Sequence, residues 1–461
     1  MKSTLSRFQW SQLAWLALAI LFVFGIWPAL SYPLYWDELG VYGPGVLHLV
    51  DQGIGLLPSA MPPELSRGHP LGFYALAATW ISVSGWSLFS FHLFALVITL
   101  GLGWALFSLC RQQMSDVAAL LCSTAFLMMP AIRAQATLVL PEMFLAACTL
   151  LALHAFYQQK WGPYILWTVI AMQVKETAIL IPLAALTYIL FAVRRYRWKA
   201  WGFTLLPILS LLLFFGIQRM QHGWFFFPYH MELITWSWAG IWAKFLKGLY
   251  FITLDQGRGM ISAMMLVAFF LYLYRREGKW KEMRTSFGFL LLIYGGGLLA
   301  FSSLNVYMDR YLLSALGILA IFWGWSLDVY GKGESFWKWG FLFVPLLFLF
   351  WPNKQAFHYD VDPNYADAVL VQQKAAAYLE HELTAGDTLY TNFPLYGAML
   401  DPRYGYVQDT VAFQMVTRYD TNLQWAATCL PPHWGEDVQP KGELRKALIQ
   451  GQARVKIYVK E

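Results

Sequence analysis

The stretch WSQLAWLALAILFVFGIWPALSYPLYWDELG, residues 10–40, decides the fold class of this chain. Its first 21 residues contain no charged side chain, and roughly 17 to 25 mostly apolar residues are enough for a helix to cross a bilayer. The run is too long for the apolar part of a signal peptide, and no small-x-small cleavage motif follows it. We therefore predict a retained transmembrane helix that leads directly into two acidic residues, Asp37 and Glu38.

The rest of the chain repeats this apolar pattern. Hydrophobic residues make up 58% of the 461 residues and charged residues only 13%, against roughly a quarter charged in soluble domains. Further runs of membrane-spanning character lie at 91–110, 141–157, 177–193, 201–217, 260–274, 287–303, 311–327 and 337–351, with shorter ones at 71–84, 117–130 and 161–174. The sequence therefore predicts an all-α polytopic membrane domain with about 11 to 13 transmembrane helices.

Basic residues predict the orientation, because short cytoplasmic loops collect Lys and Arg. The clusters are Arg194, Arg195, Arg197 and Lys199; Arg275, Arg276, Lys279, Lys281 and Arg284; Lys332 and Lys338; and Lys2 with Arg7. Alternating the helices between them places residues 31–70, 218–259, 305–310 and the tail after Pro352 outside. We predict a multi-pass protein of the plasma (inner) membrane with a cytoplasmic N-terminus and an extracytoplasmic, periplasmic C-terminal domain.

The region between His69 and Glu142 fits this orientation only with an even number of crossings, because both residues are expected outside. Three apolar runs compete there, at 71–84, 91–110 and 117–130. Arg111 is expected on the cytoplasmic side. The run at 71–84 is then expected to cross the membrane incompletely or to re-enter on the same side. An odd total of 11, or of 13, brings the tail outside.

The last 108 residues differ in composition from the rest. They hold 13 of the 27 acidic residues and 10 of the 33 basic ones, so the tail is mildly acidic and the membrane part basic. Residues 362–383 have apolar positions at helical spacing, and 388–390 and 455–459 look like strands. We predict a transmembrane domain at 1–353, with 31–70 as its first outer loop, and an α/β soluble domain at 354–461. The four cysteines imply no disulfide framework or metal site.

Ionisable residues at the outer helix ends are the candidates for chemistry, because charges near a bilayer are expensive to keep. Asp37 and Glu38 suit a general base with a supporting acid, or else an interfacial loop with two solvated acids. Arg67 and His69 precede a helix that begins at Pro70, where free amide groups favour a phosphate. The plain alternative there is a helix start with a surface histidine.

Three more positions complete the set. Glu142 follows Pro141 at another helix start, where an acid also complements the helix dipole. Lys175 and Glu176 interrupt an apolar stretch, and Arg310 with Tyr311 begins a helix. Arg310 is able to grip a phosphate with two hydrogen bonds, although local ion pairing or snorkelling to lipid headgroups is the simpler reading of these charges. All five positions fall on the same predicted side of the membrane.

Taken in order, these features resemble the GT-C superfamily of membrane glycosyltransferases, in particular the dolichyl-phosphate-mannose protein mannosyltransferases and the lipid A aminoarabinose transferases. The resemblance covers roughly residues 10–330. It rests on the following residues in order: Asp37 and Glu38, His69 to Leu71, Glu142, Lys175 and Glu176, and Arg310 to Leu313. Relatives usually carry Asp where this chain has Glu142, and some carry Lys where it has His69. No known pattern covers the tail.

The resemblance implies an inverting enzyme that moves a sugar from a polyprenyl-phosphate carrier to a protein, lipid or glycan acceptor on the outer face. Asp37 is then the expected catalytic base, and Glu38 assists it. The expected donor phosphate and lipid contacts are His69, Glu142, Lys175, Arg310 and Tyr311, supported by Arg67 and Glu176. Membrane lipids are further partners, and nucleic acid is not. No metal ligand or cofactor is predicted, and a need for a divalent metal stays open.

Two other readings remain at this stage. One is a different lipid-linked glycan transferase or ligase, although the tail has no WWDYG-like acceptor motif. The other is a polytopic transporter, which often shows matched halves and helices broken near the membrane midplane. The sequence shows no internal repeat, and its ionisable residues gather at helix ends, which favours the transferase.

Overall fold

The computed structural model describes residues 7–191, 198–275, 286–331, 359–430 and 438–460. The basic residues Lys2, Arg194, Arg195, Arg197, Arg276, Lys279, Lys281, Arg284, Lys332 and Lys338 lie outside these ranges, as does the helix expected at 337–351. The orientation drawn from them stays a prediction.

Nineteen helices are present among the described residues. They are α1 Arg7–Ile26, α2 Gly43–Gln52, α3 Pro63–Ser66, α4 Gly72–Ser84, α5 Leu88–Cys110, α6 Asp116–Met128, α7 Pro130–Gln135, α8 Pro141–Tyr157, α9 Trp161–Val174, α10 Leu180–Phe191, α11 Lys199–Leu205, α12 Ile208–His222, α13 Pro228–Glu232, α14 Trp238–Thr253, α15 Gly259–Arg275, α16 Phe287–Leu304, α17 Leu313–Gly331, α18 Tyr365–Glu382 and α19 Leu395–Ala398. Short turns of tighter or wider helix add Trp27–Ser31, Glu38–Tyr42, Pro58–Ala60, Glu176–Ile179, Asp255–Gly257, Asp309–Leu312, Tyr359–Val361 and Pro402–Tyr404.

The long apolar helices make the chain an integral membrane protein. Five are long and apolar enough to cross a membrane within the described part of the chain: Trp10–Ser31, Leu88–Cys110, Lys199–His222, Phe287–Leu304 and Asp309–Asp328. Gly72–Ser84, Asp116–Met128, Pro141–Tyr157, Glu176–Phe191 and Gly259–Phe270 are apolar but shorter. At about 1.5 Å per residue, the 13 residues of α4 form a helix that is shorter than the bilayer is thick. This agrees with a run at 71–84 that does not cross the membrane completely.

Local sequence signals account for several helix starts. The Ser87 side chain accepts a hydrogen bond from the Ser90 amide at the start of α5, and Ser115 accepts one from Ala118 in α6. Such caps satisfy amide groups that have no partner within the helix. Helix α8 instead starts with Pro141, whose missing amide hydrogen costs nothing there. Local signals therefore account for the starts of α5, α6 and α8, and α8 carries Glu142.

The tail forms an α/β domain around a five-stranded sheet. Its strands are β1 Thr388–Thr391, β2 Gln414–Val416, β3 Trp425–Leu430, β4 Glu443–Gln450 and β5 Ala453–Val459, in the order β2-β1-β3-β5-β4. Strand β1 is parallel to both β2 and β3, and β5 is antiparallel to β3 and β4. The sheet packs against α18. This confirms the predicted fold class and the helix and strands expected at 362–383, 388–390 and 455–459.

Two hydrophobic cores hold these parts together. The first lies among the membrane helices. The second joins the first outer loop and the ends of α4 and α5 to α18 and the sheet, so it contains both Leu34 and Val455. The C-terminal domain therefore shares one core with the loop that carries Asp37.

Candidate functional site

A cavity of about 850 Å³ lies where the outer loop, the membrane helices and the segment around α13 meet. Eight of the nine predicted site residues line it: Asp37, Arg67, His69, Glu142, Lys175, Glu176, Arg310 and Tyr311. Much of the remaining wall is apolar and includes Leu145, Ala146, Phe215, Phe226, Leu298 and Phe301. The cavity thus joins a charged region to an apolar one, which suits an amphipathic ligand.

Arg310 is the centre of the charged region. It lies in the tight turn Asp309–Leu312 that precedes α17, and it is only 2% exposed. Its Nη2 donates to Oδ2 of Asp37, its Nη1 donates to Oδ2 of Asp360, and its Nε lies 3.3 Å from Oε1 of Glu142. Three carboxylates therefore surround one guanidinium, and this matches the fixed fork of donors that arginine presents.

Lys175 supplies the second buried cation. It occupies an extended residue between α9 and the turn Glu176–Ile179, and this break directs both charged residues into the cavity. Its Nζ donates to Oε1 of Glu142 at 2.9 Å and lies 3.8 Å from the centre of the Tyr311 ring. The other Glu142 oxygen, Oε2, is buried without a hydrogen-bond partner among the described residues. Glu142 thus keeps one oxygen available to a ligand.

A histidine pair forms another side of the cavity. Nδ1 of His69 lies 2.8 Å from Oε2 of Glu176, and the centre of the His69 ring lies 5.1 Å from that of His230, with the two rings tilted by 37°. Gly72 allows the chain that follows His69 to lie close to the chain that precedes Glu176. A Cβ at this position would be 2.5 Å from the carbonyl oxygen of Gln173. Burial, and next the charge of His69, lower the pKa of His230 to about 4, so this ring is neutral at pH 7.

Arg67 differs from the other cations of the cavity. Its guanidinium carbon lies 5.9 Å from the centre of the Tyr229 ring. Across the described ranges, no carboxylate approaches it within ion-pair distance. Arg67 is also one of the residues with a left-handed backbone, with φ 51° at the end of α3. It is therefore a cation held at the cavity without an anion beside it.

Glu38 is the predicted site residue that does not line the cavity. Its side chain is fully buried and accepts hydrogen bonds from the amides of Val139, at 2.6 Å, and Tyr35, at 3.2 Å. Nε2 of His92 lies 3.2 Å from its Oε1. The carboxylate therefore ties the loop of Asp37 to α5 and to the chain just before α8. This arrangement supports a positioning role beside Asp37 rather than contact with a substrate.

Sequence reasoning missed several residues of the site, including Glu64 and His230 in the cavity wall and Asp360 beside Arg310. His230 lies in a stretch that shows no periodic apolar pattern, and Asp360 lies in the tail, 50 residues after Arg310. Burial raises the pKa of Asp360 to about 6 despite the nearby charge of Arg310. Only the HYDVDP stretch at 358–363, where two acids lie close together soon after the last long apolar run, offered a signal. No group of three or more metal-ligating side chains occurs in the described part of the chain.

By sequence, the chain matches no protein-family model and no curated protein. By structure, it is similar to ArnT from Cupriavidus metallidurans bound to undecaprenyl phosphate, with a TM-score of 0.60, 13% identity and coverage of 98% of each chain. The apo state of that protein gives a TM-score of 0.56 at 13% identity, over 96% of this chain and 97% of the other.

A second similar structure is the archaeal oligosaccharyltransferase AglB from Archaeoglobus fulgidus, in complex with an inhibitory peptide and a dolichol-phosphate. Its TM-score is 0.51 at 11% identity, over 92% of this chain and 70% of the other. Both proteins are membrane glycosyltransferases of the GT-C superfamily. The fold predicted from the order of the motifs is thereby confirmed, and this chain has the GT-C fold.

Proposed function

We propose that this chain is an inverting glycosyltransferase that moves a sugar from a polyprenyl-phosphate carrier to an acceptor on the outer face of the membrane. One observation carries the proposal. Side chains from five separate parts of the sequence, at 37, 67–69, 142, 175–176 and 310–311, line a single cavity, and much of the rest of its wall is apolar. A carrier with a charged head and a long hydrocarbon tail needs both kinds of surface. The neighbour ArnT was solved with undecaprenyl phosphate bound.

Asp37 is the proposed general base. Its side chain is 24% exposed, and Arg310 engages its Oδ2. No donor among the described residues contacts its Oδ1. An oxygen free of protein donors is able to accept a proton from an acceptor group that enters the cavity. Asp37 therefore has the position and the free oxygen that a base requires.

The proposed reaction is a single displacement at the anomeric carbon. The acceptor hydroxyl or amine gives its proton to Asp37 and forms a bond to that carbon. The bond from the anomeric carbon to the phosphate oxygen breaks on the opposite face, and the phosphate leaves with the electron pair. Since the phosphate needs no proton to leave, the main tasks of the protein are to position the two substrates and to deprotonate the acceptor.

Arg67 and Lys175, with His69, are the proposed contacts for the donor phosphate. Arg67 has no competing carboxylate within the described ranges, and Lys175 lies on the cavity wall. Arg310 is a less direct contact for the donor phosphate than the sequence suggests. Each of its three nitrogen atoms already donates a hydrogen bond to a carboxylate. Tyr311 lies under the Lys175 ammonium and holds it in place.

Glu142 is proposed to bind the sugar rather than the phosphate. A carboxylate repels a phosphate but accepts hydrogen bonds well from sugar hydroxyl groups. Its Oε2 has no partner among the described residues, while Lys175 and Arg310 fix its other oxygen. Leaving a buried acceptor unpaired costs about 1–3 kcal/mol, and a sugar hydroxyl would remove that cost.

The substitution Asp37→Asn tests the proposal. Asn keeps the shape of the side chain but takes no proton, so we expect transfer to slow by at least about a hundredfold. Binding of undecaprenyl phosphate should stay within about threefold, since only the base is changed. Transfer is measured as release of polyprenyl phosphate from lipid-linked sugars extracted from the host membrane.

The control is Asp409→Asn, because Asp409 is an exposed acid of the C-terminal domain far from the cavity residues in sequence. It should behave as the unchanged protein does. Normal transfer by Asp37→Asn would remove Asp37 as the base. Failure of the unchanged protein to bind undecaprenyl phosphate in lipid nanodiscs would contradict the proposed donor class.

A further inference from the structure

The turn that carries Asp37 has an unusual backbone. Trp36, directly before Asp37, has a left-handed conformation with φ 52°. Bulky residues other than glycine rarely adopt this conformation, which costs on the order of 1–3 kcal/mol unless surrounding contacts hold it. The Trp36 side chain is nonetheless buried, with 6% exposure. Contacts from elsewhere in the molecule must therefore stabilise this turn.

Aromatic residues of the C-terminal domain supply those contacts. The ring of Trp36 lies 4.5 Å from that of Tyr359 and 5.5 Å from that of Phe393. The ring of Tyr35 stacks 5.4 Å from that of Tyr365. Aromatic pairs at these distances add stabilisation beyond the burial of their area. The two residues before Asp37 are thus packed between rings of the C-terminal domain.

Backbone hydrogen bonds hold the same turn from its other end. The Leu34 amide donates to the carbonyl of Tyr404 at 3.1 Å, and the Tyr406 hydroxyl donates to the carbonyl of Leu34 at 2.9 Å. Both backbone groups of Leu34 are therefore paired with the C-terminal domain. This contact and the ring contacts limit the movement of the turn that leads to Asp37.

Asp360 adds a charged contact to this arrangement. It is 5% exposed and shares Arg310 with Asp37. Its backbone carbonyl accepts from Nε2 of Gln135 at 2.8 Å, and the next carbonyl, of Val361, accepts from Gln256 at 2.9 Å. Helix α7 and the turn Asp255–Gly257 thus fix the backbone around Asp360 in place. Its carboxylate in turn fixes Nη1 of Arg310.

We propose that Asp360 is a positioning residue for the base, and that through it the C-terminal domain forms part of the catalytic unit. Asp360 holds the Arg310 guanidinium so that Nη2 meets Oδ2 of Asp37 and leaves Oδ1 toward the acceptor. Asp360 itself does not line the cavity. The inference rests on the proposed function only where sugar transfer is measured. The rigidity of the turn that carries Asp37 is measured without any reaction.

The test uses the full-length protein in lipid nanodiscs and compares Asp360→Asn with Asp360→Glu. Asn removes the charge at nearly unchanged size, and Glu keeps it. Hydrogen exchange of peptides that cover 34–40 is measured on the ligand-free protein, since it reports local opening of the backbone. We expect faster exchange there in Asp360→Asn, with unchanged exchange in β1, and partial recovery in Asp360→Glu. Asp409→Asn should leave both regions unchanged.

Transfer measurements separate positioning from a purely structural role. Because a small misplacement of a catalytic group costs up to about a hundredfold in rate, turnover by Asp360→Asn should fall at least about tenfold, with a KM for the donor within about threefold. Unchanged exchange at 34–40 would overturn the inference, as would turnover by Asp360→Asn at the normal rate. If exchange changes while even the unchanged protein transfers no sugar, the positioning role stands and the proposed function fails.

Discussion

At the scale of single residues, the site combines two buried cations with three carboxylates. Arg310 meets Asp37, Glu142 and Asp360, and Lys175 shares Glu142 with it. Removing one member of a buried ion pair costs about 3–5 kcal/mol, because its partner is left uncompensated. The substitution Arg310→Ala would therefore destabilise the fold as well as the site, and it is a poor probe of phosphate binding.

Arg67 is a better probe of the phosphate contact. It lines the cavity but has no carboxylate partner within the described ranges. We expect Arg67→Ala to weaken binding of undecaprenyl phosphate by about 1.5–3 kcal/mol, the usual contribution of a hydrogen bond to a charged group. Binding is measured in nanodiscs by native mass spectrometry, and the melting temperature should change little.

The matched control for that measurement is Arg219→Ala. Arg219 is exposed near the end of α12 and contacts the ring of Phe225, but it does not line the cavity. If Arg67→Ala and Arg219→Ala lost equal affinity, undecaprenyl phosphate would respond to the overall positive charge of the protein and not to a specific contact with Arg67. Arg67 would then lose its place in the proposed site.

Most of these residues were predictable from the sequence because they lie at the ends of apolar helices. Eight site residues were predicted because a charge beside an apolar run is visible without a structure. Asp360 was not, since its partner Arg310 is distant in the chain and only folding brings them together. The separation of Asp37 from Glu38 was also beyond the sequence, because neighbouring residues on one turn point to different surroundings.

At the scale of elements, the segment 224–234 closes one side of the cavity with α13 at its centre. Phe226, Phe227, Tyr229 and His230 contribute to the wall, although Phe226 and Tyr229 are also about half exposed to the surroundings. This segment belongs to residues 218–259, which were predicted to lie outside and for which no helix or strand was predicted. Helix α14 follows it and was also missed, because Lys244 and Lys247 interrupt its apolar pattern.

The pKa of His230 gives this segment a dependence on pH. Burial lowers that pKa to about 4, from about 6.5 in an unfolded chain. Between these values the undocked segment binds a proton that the docked one does not, so docking is strongest above about pH 6.5 and weakens as the pH falls toward 4. His69, Glu176, Lys175 and Arg67 are the charged or titratable groups around the ring.

We therefore expect hydrogen exchange of peptides in 224–234, corrected for its intrinsic pH dependence, to be faster at pH 5.5 than at pH 7.5. The variant His230→Gln, which does not titrate, should lose most of that difference. If both proteins respond to pH alike, another group controls the docking of this segment.

Other elements show where sequence patterns fail in this chain. Most helices were predicted, since long apolar runs are a strong signal. Strands β2, β3 and β4 were not predicted. β2 has only three residues, β3 has no alternation of polar and apolar residues, and β4 is an edge strand with several exposed positions. These strands are defined by their pairing with β1 and β5, which no local pattern reveals.

At the scale of the whole molecule, the second hydrophobic core makes the two predicted domains interdependent. Residues of the first outer loop and of the C-terminal sheet belong to the same packed cluster. The limits at 1–353 and 354–461 stay a prediction, and we propose that residues 31–70 and the tail fold as one unit.

This shared core predicts cooperative unfolding of the outer part. On heating, protection from hydrogen exchange should be lost at the same temperature in peptides covering 34–40 and in those covering β1, because each packs on the other. Peptides of α6, whose buried residues belong to the first core, serve as the internal reference. Loss of protection in β1 well below the temperature at which 34–40 opens would show that the C-terminal domain unfolds alone.

The contact between the turn of Asp37 and Tyr404 also sets an order of events during synthesis. Among the described residues, the last one that lines the cavity is Ser314, whereas the partner of Leu34 is Tyr404. Ribosomes add roughly 5–20 residues per second, so several seconds separate the two. During that interval the nascent chain already holds the described residues of the cavity wall, but the turn before Asp37 has not met its partner. The turn that carries the proposed base is therefore among the last parts of the site to be held in place.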